Sequence, residues 1–277
     1  MPSRLARPGP SLLASELHVM FRRARHLAIL GVLAAVPVLI ALAVRFSDGP
    51  DTGEGPPFLD RVTDNGLFVG ITALVICVPL FLPLAVGVVA GDTIAGEAGQ
   101  GTLRYLLLSP AGRTRLLAVK LAGVVVFCTV ATLTVVAVGA AIGVALFGVQ
   151  DVAVLSGGTI TPGESVGRAL LAAGYVTVSL VGLGAIGLFV STLTDVPVGA
   201  MAATVTLAVV SQVLGQIPQI DWLHPWLFTY RWFDVADVLR DPVSWDSFRQ
   251  NAVLQGAYVA VFSTLAWARF TTKDVLS

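Results

Sequence analysis

Six stretches of this chain are each long enough to cross a bilayer and hold no charged residue: 27–44, 67–90, 121–149, 169–190, 196–215 and 252–268. A hydrocarbon core of about 30 Å takes roughly 20 apolar residues of helix. Within it, only helices and closed barrels satisfy every backbone polar group. Charged side chains make up 12% of the 277 residues, against about 25% in soluble domains. That is too little to coat so much apolar surface with water-facing groups, so the surplus must face lipid. The expectation is an all-α integral membrane protein with six transmembrane helices.

Individual stretches carry further expectations. The third is longer than an upright crossing needs, which predicts tilt or extension beyond the bilayer. Pro79 and Pro83 predict a bend in the second, because neither can donate a helical hydrogen bond. The first follows a basic segment, as a secretory signal would, but its 18 residues exceed the roughly 7–15 of a signal core. An acidic, Pro/Gly-rich segment without a small-residue cleavage site follows it, so it reads as a retained span. Cys77 and Cys128 lie inside apolar runs without metal-ligand spacing and read as small core residues.

Six crossings place both termini on one side, and the charges sort accordingly. That side collects 11 of the 17 basic residues, among them Arg22, Arg23, Arg25, Arg104, Arg113, Arg115 and Lys120. Its acidic residues are Glu16, Asp92, Glu97, Asp195 and Asp274, which leaves 12 acidic residues on the other side. Basic loops stay in the cytoplasm, so both termini are expected inside, in a bacterial cytoplasmic membrane.

Residues 1–26 form a cytoplasmic and interfacial N-terminal unit, in which Leu13, Leu17, Met20 and Ala24 recur at helical spacing ahead of the first span. Such a helix can lie along the inner interface; a plain extension of the first span is the other reading. Residues 27–277 form one transmembrane domain. In it, Gly139 and Gly143 are spaced as G-x-x-x-G, and Gly174, Gly182, Gly184 and Gly187 lie in the fourth span. Small residues of this kind let helix backbones approach closely, and packing within the chain is expected of them. The connection 216–250 concentrates Trp222, Trp226, Phe228, Tyr230, Trp232, Phe233 and Trp245 among prolines. Rings of this kind gather at the headgroup layer, so short helices at the outer interface are expected, dipping inward before the sixth span. An aromatic ligand site is the alternative.

The segment 91–120, GDTIAGEAGQGTLRYLLLSPAGRTRLLAVK, joins the second and third spans on the basic side. Asp92 can cap a short helix, Gly99 and Gly101 break it, and Thr102 can cap a second, whose face carries Leu103, Leu106 and Leu107. Ser109 and Pro110 end that piece, and Gly112 allows the turn into the third span. A leucine-bearing knob in water predicts a partner groove. Its acidic residue, Glu, Gly-Thr-Leu, further leucines, Pro, Arg and closing Lys resemble the permease subunits of type 2 ATP-binding cassette exporters. The layout of the whole chain is similar to theirs. The resemblance implies that the segment is a coupling helix docking on an ATPase subunit, with Asp92, Glu97, Gly101, Thr102, Leu103, Leu106 and Leu107 at or near the contact. It also implies that Arg113 and Lys120 anchor the third span at the inner surface, and that two permease chains work with two ATPase chains. By the same likeness the second and fifth spans line the transport path, with Phe81, Thr204, Ser211 and Gln212 as candidate contacts. Gln212 is either a substrate contact or an interhelical hydrogen bond.

No G-x-x-x-x-G-K-[ST] phosphate cradle occurs in the sequence, so ATP and magnesium are expected on the partner and no cofactor on this chain. His18, His26 and His224 are scattered and the spans hold no acidic pair, which speaks against a membrane enzyme. Spans without ionisable residues speak against an ion-coupled carrier. The cargo expected of an apolar path is hydrophobic or amphipathic (a drug, an antibiotic or a lipid-like molecule). Sodium or another small solute is the second cargo class, and a non-transporting scaffold or sensor the alternative role. Lipid and protein chains are the expected partners, not nucleic acid.

Overall fold

In the computed structural model the described residues are 12–46, 66–101, 112–149, 152–153, 159–240 and 243–272. The chain opens with α1 (Leu12–Arg22) and turns at Arg23 into α2 (Ala24–Phe46). The turn is held by the His26 ring, whose Nδ1–H donates to the Met20 carbonyl at 2.7 Å. The N-terminal segment is therefore a separate helix, and it packs on the start of the third apolar run.

The second run is not one bent helix. It is α3 (Phe68–Cys77) and α4 (Phe81–Gly99), with a break at Val78–Leu80. After it come α5 (Arg113–Phe147), α6 (Pro162–Leu193) and α7 (Pro197–Leu214). Three short 3₁₀ turns (Pro218–Ile220, His224–Trp226 and Trp232–Leu239) lead to α8 (Trp245–Thr272). A two-residue antiparallel pair, Val152–Ala153 with Thr159–Ile160, closes the α5–α6 connection. α6 begins well before the fourth apolar run because Thr161 and Glu164 form a reciprocal capping box and Pro162 occupies the first turn.

Neighbouring pairs give the helix directions. Thr132 of α5 meets Thr177 of α6, and Val124 lies against Gly184, so these two run antiparallel. Tyr175 stacks edge-on against Phe248 and Ser179 bonds Asn251, so α6 and α8 run parallel. Six rods thus alternate in sense (α2, α3–α4, α5, α6, α7, α8), and α1 marks what we call the proximal end. Among the described residues, α2, α4, α5, α6 and α7 are long and apolar enough to cross a membrane. α8 is long enough, but Arg249, Gln250, Asn251 and Gln255 dilute its apolar character. Most of α4 and α6 is buried, whereas α2 and α7 turn most of their surface outward.

Glycines set the tightest crossings. A Cβ at Gly139 would lie 2.6 Å from Gly70 Cα, and one at Gly143 would collide with the Gly66 carbonyl. The G-x-x-x-G stripe is therefore spent on α3–α5 packing inside the chain. On α6, a Cβ at Gly187 would meet Ala90 at 2.7 Å and one at Gly184 would meet Val124 at 2.6 Å. Gly174 has no such neighbour.

The α3–α4 break has a chemical cause. In a continuous helix the N–H of residue 83 bonds the carbonyl of residue 79, but Pro83 has no N–H. The Pro79 carbonyl instead accepts from Gln212 Nε2 of α7 at 2.8 Å. Gln212→Leu should lower stability by about 1 kcal/mol, the cost of a half-buried acceptor losing its donor. Adding Pro83→Ala should recover part of the loss by restoring a local donor. Thermal melts of the two single variants and the double variant in detergent measure both effects; purely additive changes would refute the account.

Candidate functional site

α4 ends at Gly99, Gly101 takes φ +69°, and α5 starts at Arg113 with Gly112 as its N-cap. These breaks match the glycine positions in the sequence. Thr102, Leu103, Leu106 and Leu107, and the helix expected of them, lie outside the described residues. What the structure describes is the root of this connection, where α4 leaves the bundle and α5 re-enters it.

Six charged side chains from four helices meet at that root. Asp92 Oδ2 of α4 accepts from Arg23 Nη1 at 2.8 Å and also pairs with Arg25. Lys120 Nζ of α5 donates to Glu16 Oε1 of α1 at 2.8 Å and to Glu97 Oε1 of α4. Asp92 is 2% and Lys120 3% exposed. Three cations and three carboxylates balance formally, which buried ions require. A Cβ at Gly96 would sit 2.5 Å from Asp92 Oδ1, so that glycine leaves the room the carboxylate occupies.

Two further clasps flank the cluster. Ser191 Oγ, near the end of α6, accepts from the Ile94 and Ala95 N–H groups at 2.9 and 2.8 Å, and its hydroxyl donates to the Gly91 carbonyl at 2.7 Å. These bonds tie the backbone of α4 to the end of α6. Arg113 Nη1 donates to the Phe270 and Thr271 carbonyls at 3.3 and 2.8 Å, closing the C-terminus of α8 where a cation is favoured. Trp267 Nε1 adds a bond to Thr114 Oγ1 at 2.9 Å. Both sides of the 102–111 connection are thus fastened, α4 to the α1–α2 turn, α2, α5 and α6, and α5 to α1, α4 and α8. The arrangement suits passing a displacement between helices. Among the described residues no three His, Cys, Asp or Glu side chains converge as a metal site would need.

The DUF2705 family profile, described as a protein of unknown function, matches residues 36–276. The chain belongs to the DUF2705 family. The match includes Asp92, Glu97 and Lys120 and stops short of Glu16, Arg23 and Arg25. Comparison with curated proteins finds no match.

Several site expectations for this DUF2705 chain need correcting. Asp92 is not an N-cap: α4 runs unbroken past it, and its carboxylate is held by two arginines. Asp92 and Glu97, expected at or near a docking contact, are both buried. Lys120, expected to anchor the third span at the inner surface, has its ammonium enclosed by Glu16 and Glu97. On α7, Thr204 and Ser211 belong to a narrow buried stripe with Ala200 and Ala208. Thr204 donates to the Ala200 carbonyl and Ser211 shares a bond with Thr229, so neither hydroxyl is open to a solute in this chain. Gln212 makes the helix-to-helix bond to Pro79. Phe81 remains partly exposed at the start of α4.

The 216–250 connection of the DUF2705 chain is half belt and half plug. Trp222, Trp226 and Trp245 are exposed, but Trp232 is fully buried beside Phe228. Trp232 Nε1 donates to the Ser179 carbonyl at 3.0 Å, and Gln255 Nε2 donates to the Phe228 carbonyl at 2.8 Å. Tyr175 donates its hydroxyl to the Arg231 carbonyl at 2.6 Å. Asp234, in the last of the 3₁₀ turns, has its carboxyl pushed up by burial, with Arg231 opposing the shift. Sequence reasoning missed Ser179, Ser191, Asn251 and Gln255. The polar Gln255 inside an otherwise apolar run was the available signal.

Proposed function

We propose that the chain is the membrane-spanning permease subunit of an ATP-driven exporter. It moves a hydrophobic or amphipathic molecule out of a bacterial cell, driven by ATP and magnesium on a separate ATPase subunit. The observation that carries this reading is the buried charge cluster at the root of the leucine-bearing 102–111 connection. A surface loop needs no such fastening. A lever does, because a lever must deliver its load to the helices rather than yield at its base.

In this reading all six rods cross the bilayer, both termini and the 91–120 segment face the cytoplasm, and a second permease chain completes the path. Closure of two ATPase subunits pushes the connection. Asp92 and Glu97 pass the push to α1, α2 and α5, and the Ser191 clasp passes it to α6. Because α4 is buried against α6 and α7, its movement shifts both. α2 and α7, which turn most of their surface outward, form the faces along which the two chains meet or part.

The test is reconstitution with a candidate ATPase subunit, with a crosslinker placed at position 106. Crosslinking and cargo-stimulated ATP turnover are expected, and Leu106→Asp should abolish both while the chain still inserts and melts normally. An ATPase that crosslinks but never responds to any cargo would favour a scaffold. Failure to associate would overturn the proposal.

A further inference from the structure

The last 3₁₀ stretch, Trp232–Leu239, is eight residues long. Such helices seldom exceed about three or four residues, because their hydrogen bonds are poorly aligned. Its buried side chains keep a period of three: Trp232, Val235 and Val238 are 0, 1 and 0% exposed. The residues between them are exposed or half-buried. Three residues per turn stack the buried side chains in one straight ridge, packed chiefly on α6. Wound as an α-helix at 3.6 residues per turn, Trp232 and Val238 would point about 120° apart, and the ridge would be lost.

α6 clamps the stretch at both ends. At its start the Tyr175 hydroxyl donates to the Arg231 carbonyl at 2.6 Å, and Trp232 Nε1 donates to the Ser179 carbonyl at 3.0 Å. At its end Arg168 Nη1 donates to the Arg240 carbonyl at 2.8 Å and to the Val238 carbonyl at 3.4 Å. Two ion pairs, Arg231–Asp234 at 3.1 Å and Arg240–Asp237 at 2.8 Å, each join residues three apart, and such residues eclipse in a 3₁₀ helix. The backbone bonds at the two ends, Asp234 N–H to the Arg231 carbonyl and Arg240 N–H to the Asp237 carbonyl, are both 3.3 Å, longer than the usual value of about 2.9–3.0 Å. Eight residues cover about 16 Å at the 3₁₀ rise and about 12 Å at the α rise. Beneath the ridge Asn251 Nδ2 donates to Ser179 Oγ and Gln255 Nε2 to the Phe228 carbonyl, both at 2.8 Å. Gln255 Oε1 is buried with no donor among the described residues, which disfavours the seated arrangement.

We propose that Trp232–Leu239 is a two-state strap: a 3₁₀ ridge clamped to α6 in one state, and a shorter α-helix with Trp232 lifted off Ser179 in the other. The clamps and the i,i+3 ion pairs favour the first state; the poor 3₁₀ bonds and the stranded Gln255 oxygen favour the second. Losing either clamp tips the balance, and lifting the strap bares Ser179, Asn251 and Gln255. The device belongs to the chain alone and needs neither ATP nor cargo, so it stands apart from the transport reading.

The experiment is hydroxyl-radical footprinting of the full chain in detergent, with oxidation read at each tryptophan by mass spectrometry. Trp222 and Trp226, 73 and 70% exposed, serve as the fully reactive reference, and Trp232 should be strongly protected beside them. Arg168→Leu and Tyr175→Phe, which open opposite clamps, should each raise Trp232 oxidation about fivefold, the factor that one hydrogen bond supplies. Thiol bridges then fix the winding. Bridging Phe233→Cys to Ala236→Cys, three apart, should keep Trp232 protected even with Arg168→Leu. Bridging Phe233→Cys to Asp237→Cys, four apart, should expose Trp232 with both clamps intact, each bridge being compared with its own unbridged thiols. The native Cys77 and Cys128 are 0% exposed, so only the introduced thiols react. Trp232 oxidation unchanged in both clamp variants, or the two bridges acting alike, would overturn the proposal. Unaltered circular dichroism and unreactive Cys77 and Cys128 separate a lifted strap from lost folding.

Discussion

Replacing Lys120 with leucine is expected to lower the melting temperature by roughly 10 °C, the consequence of about 3–5 kcal/mol when one partner of a buried ion pair is removed. Lys120 is 3% exposed and its Glu97 partner 10%, so solvent cannot compensate the stranded carboxylate. Glu16, at 22%, can turn toward water and contributes less. The double replacement Lys120→Met with Glu97→Gln should recover most of the loss, because a neutral pair of similar volume leaves no bare charge behind. If the lever reading is right, that recovered variant should still fail to couple ATP turnover to export. Thermal melts in detergent read the first effect and reconstituted transport the second. A Lys120→Leu chain melting within a degree or two of wild type would show that the cluster does not hold the root.

Gly143→Leu should be more damaging still. Even a Cβ at this position collides with the Gly66 carbonyl of the α3–α5 crossing, and backbone cannot swing away as a side chain can. Overpacking commonly costs about 1–3 kcal/mol and more where backbone must move, so a chain that fails to accumulate in the membrane is expected. Gly174→Ala is the internal control: it sits in α6 with nothing within 4 Å of its would-be Cβ. There alanine should be neutral or stabilising by up to about 1 kcal/mol, its ordinary helical advantage over glycine. Fluorescence-detected size-exclusion profiles of the two variants make the comparison. Equal yields would mean the small-residue stripe is not what sets this crossing.

The helical runs were readable because apolar length and absent charge are local properties, and each run falls on helix, the second on two helices rather than one. Boundaries were less readable. Residues 162–168 are polar enough to look like loop, yet the Thr161–Glu164 capping box starts α6 there; the T-x-x-E spacing was the signal passed over. Pro79 and Pro83 announced a disturbance but not its size, since whether a helix bends or breaks depends on a donor from elsewhere. Here Gln212, 133 residues away, supplies it.

At the site, Gly99, Gly101 and Gly112 were readable as breaks because glycine's freedom acts on its own residue. The roles of the charges were not. Asp92 and Glu97 look from the sequence like exposed residues of a docking surface, since nothing local tells a solvated carboxylate from a buried one. Their partners lie 69 and 23 residues away, brought close by the packing of α1 and α2 beside α4 and α5. The sequence alone determined that apolar helices form and along which stretches of the chain they lie, because hydrophobic length and breaker residues act over one or two turns of chain. Only the tertiary structure decided which carboxylate meets which cation, which glycine faces a backbone, and which of seven aromatic rings plugs the bundle. Those are distances between residues that only helix packing brings together.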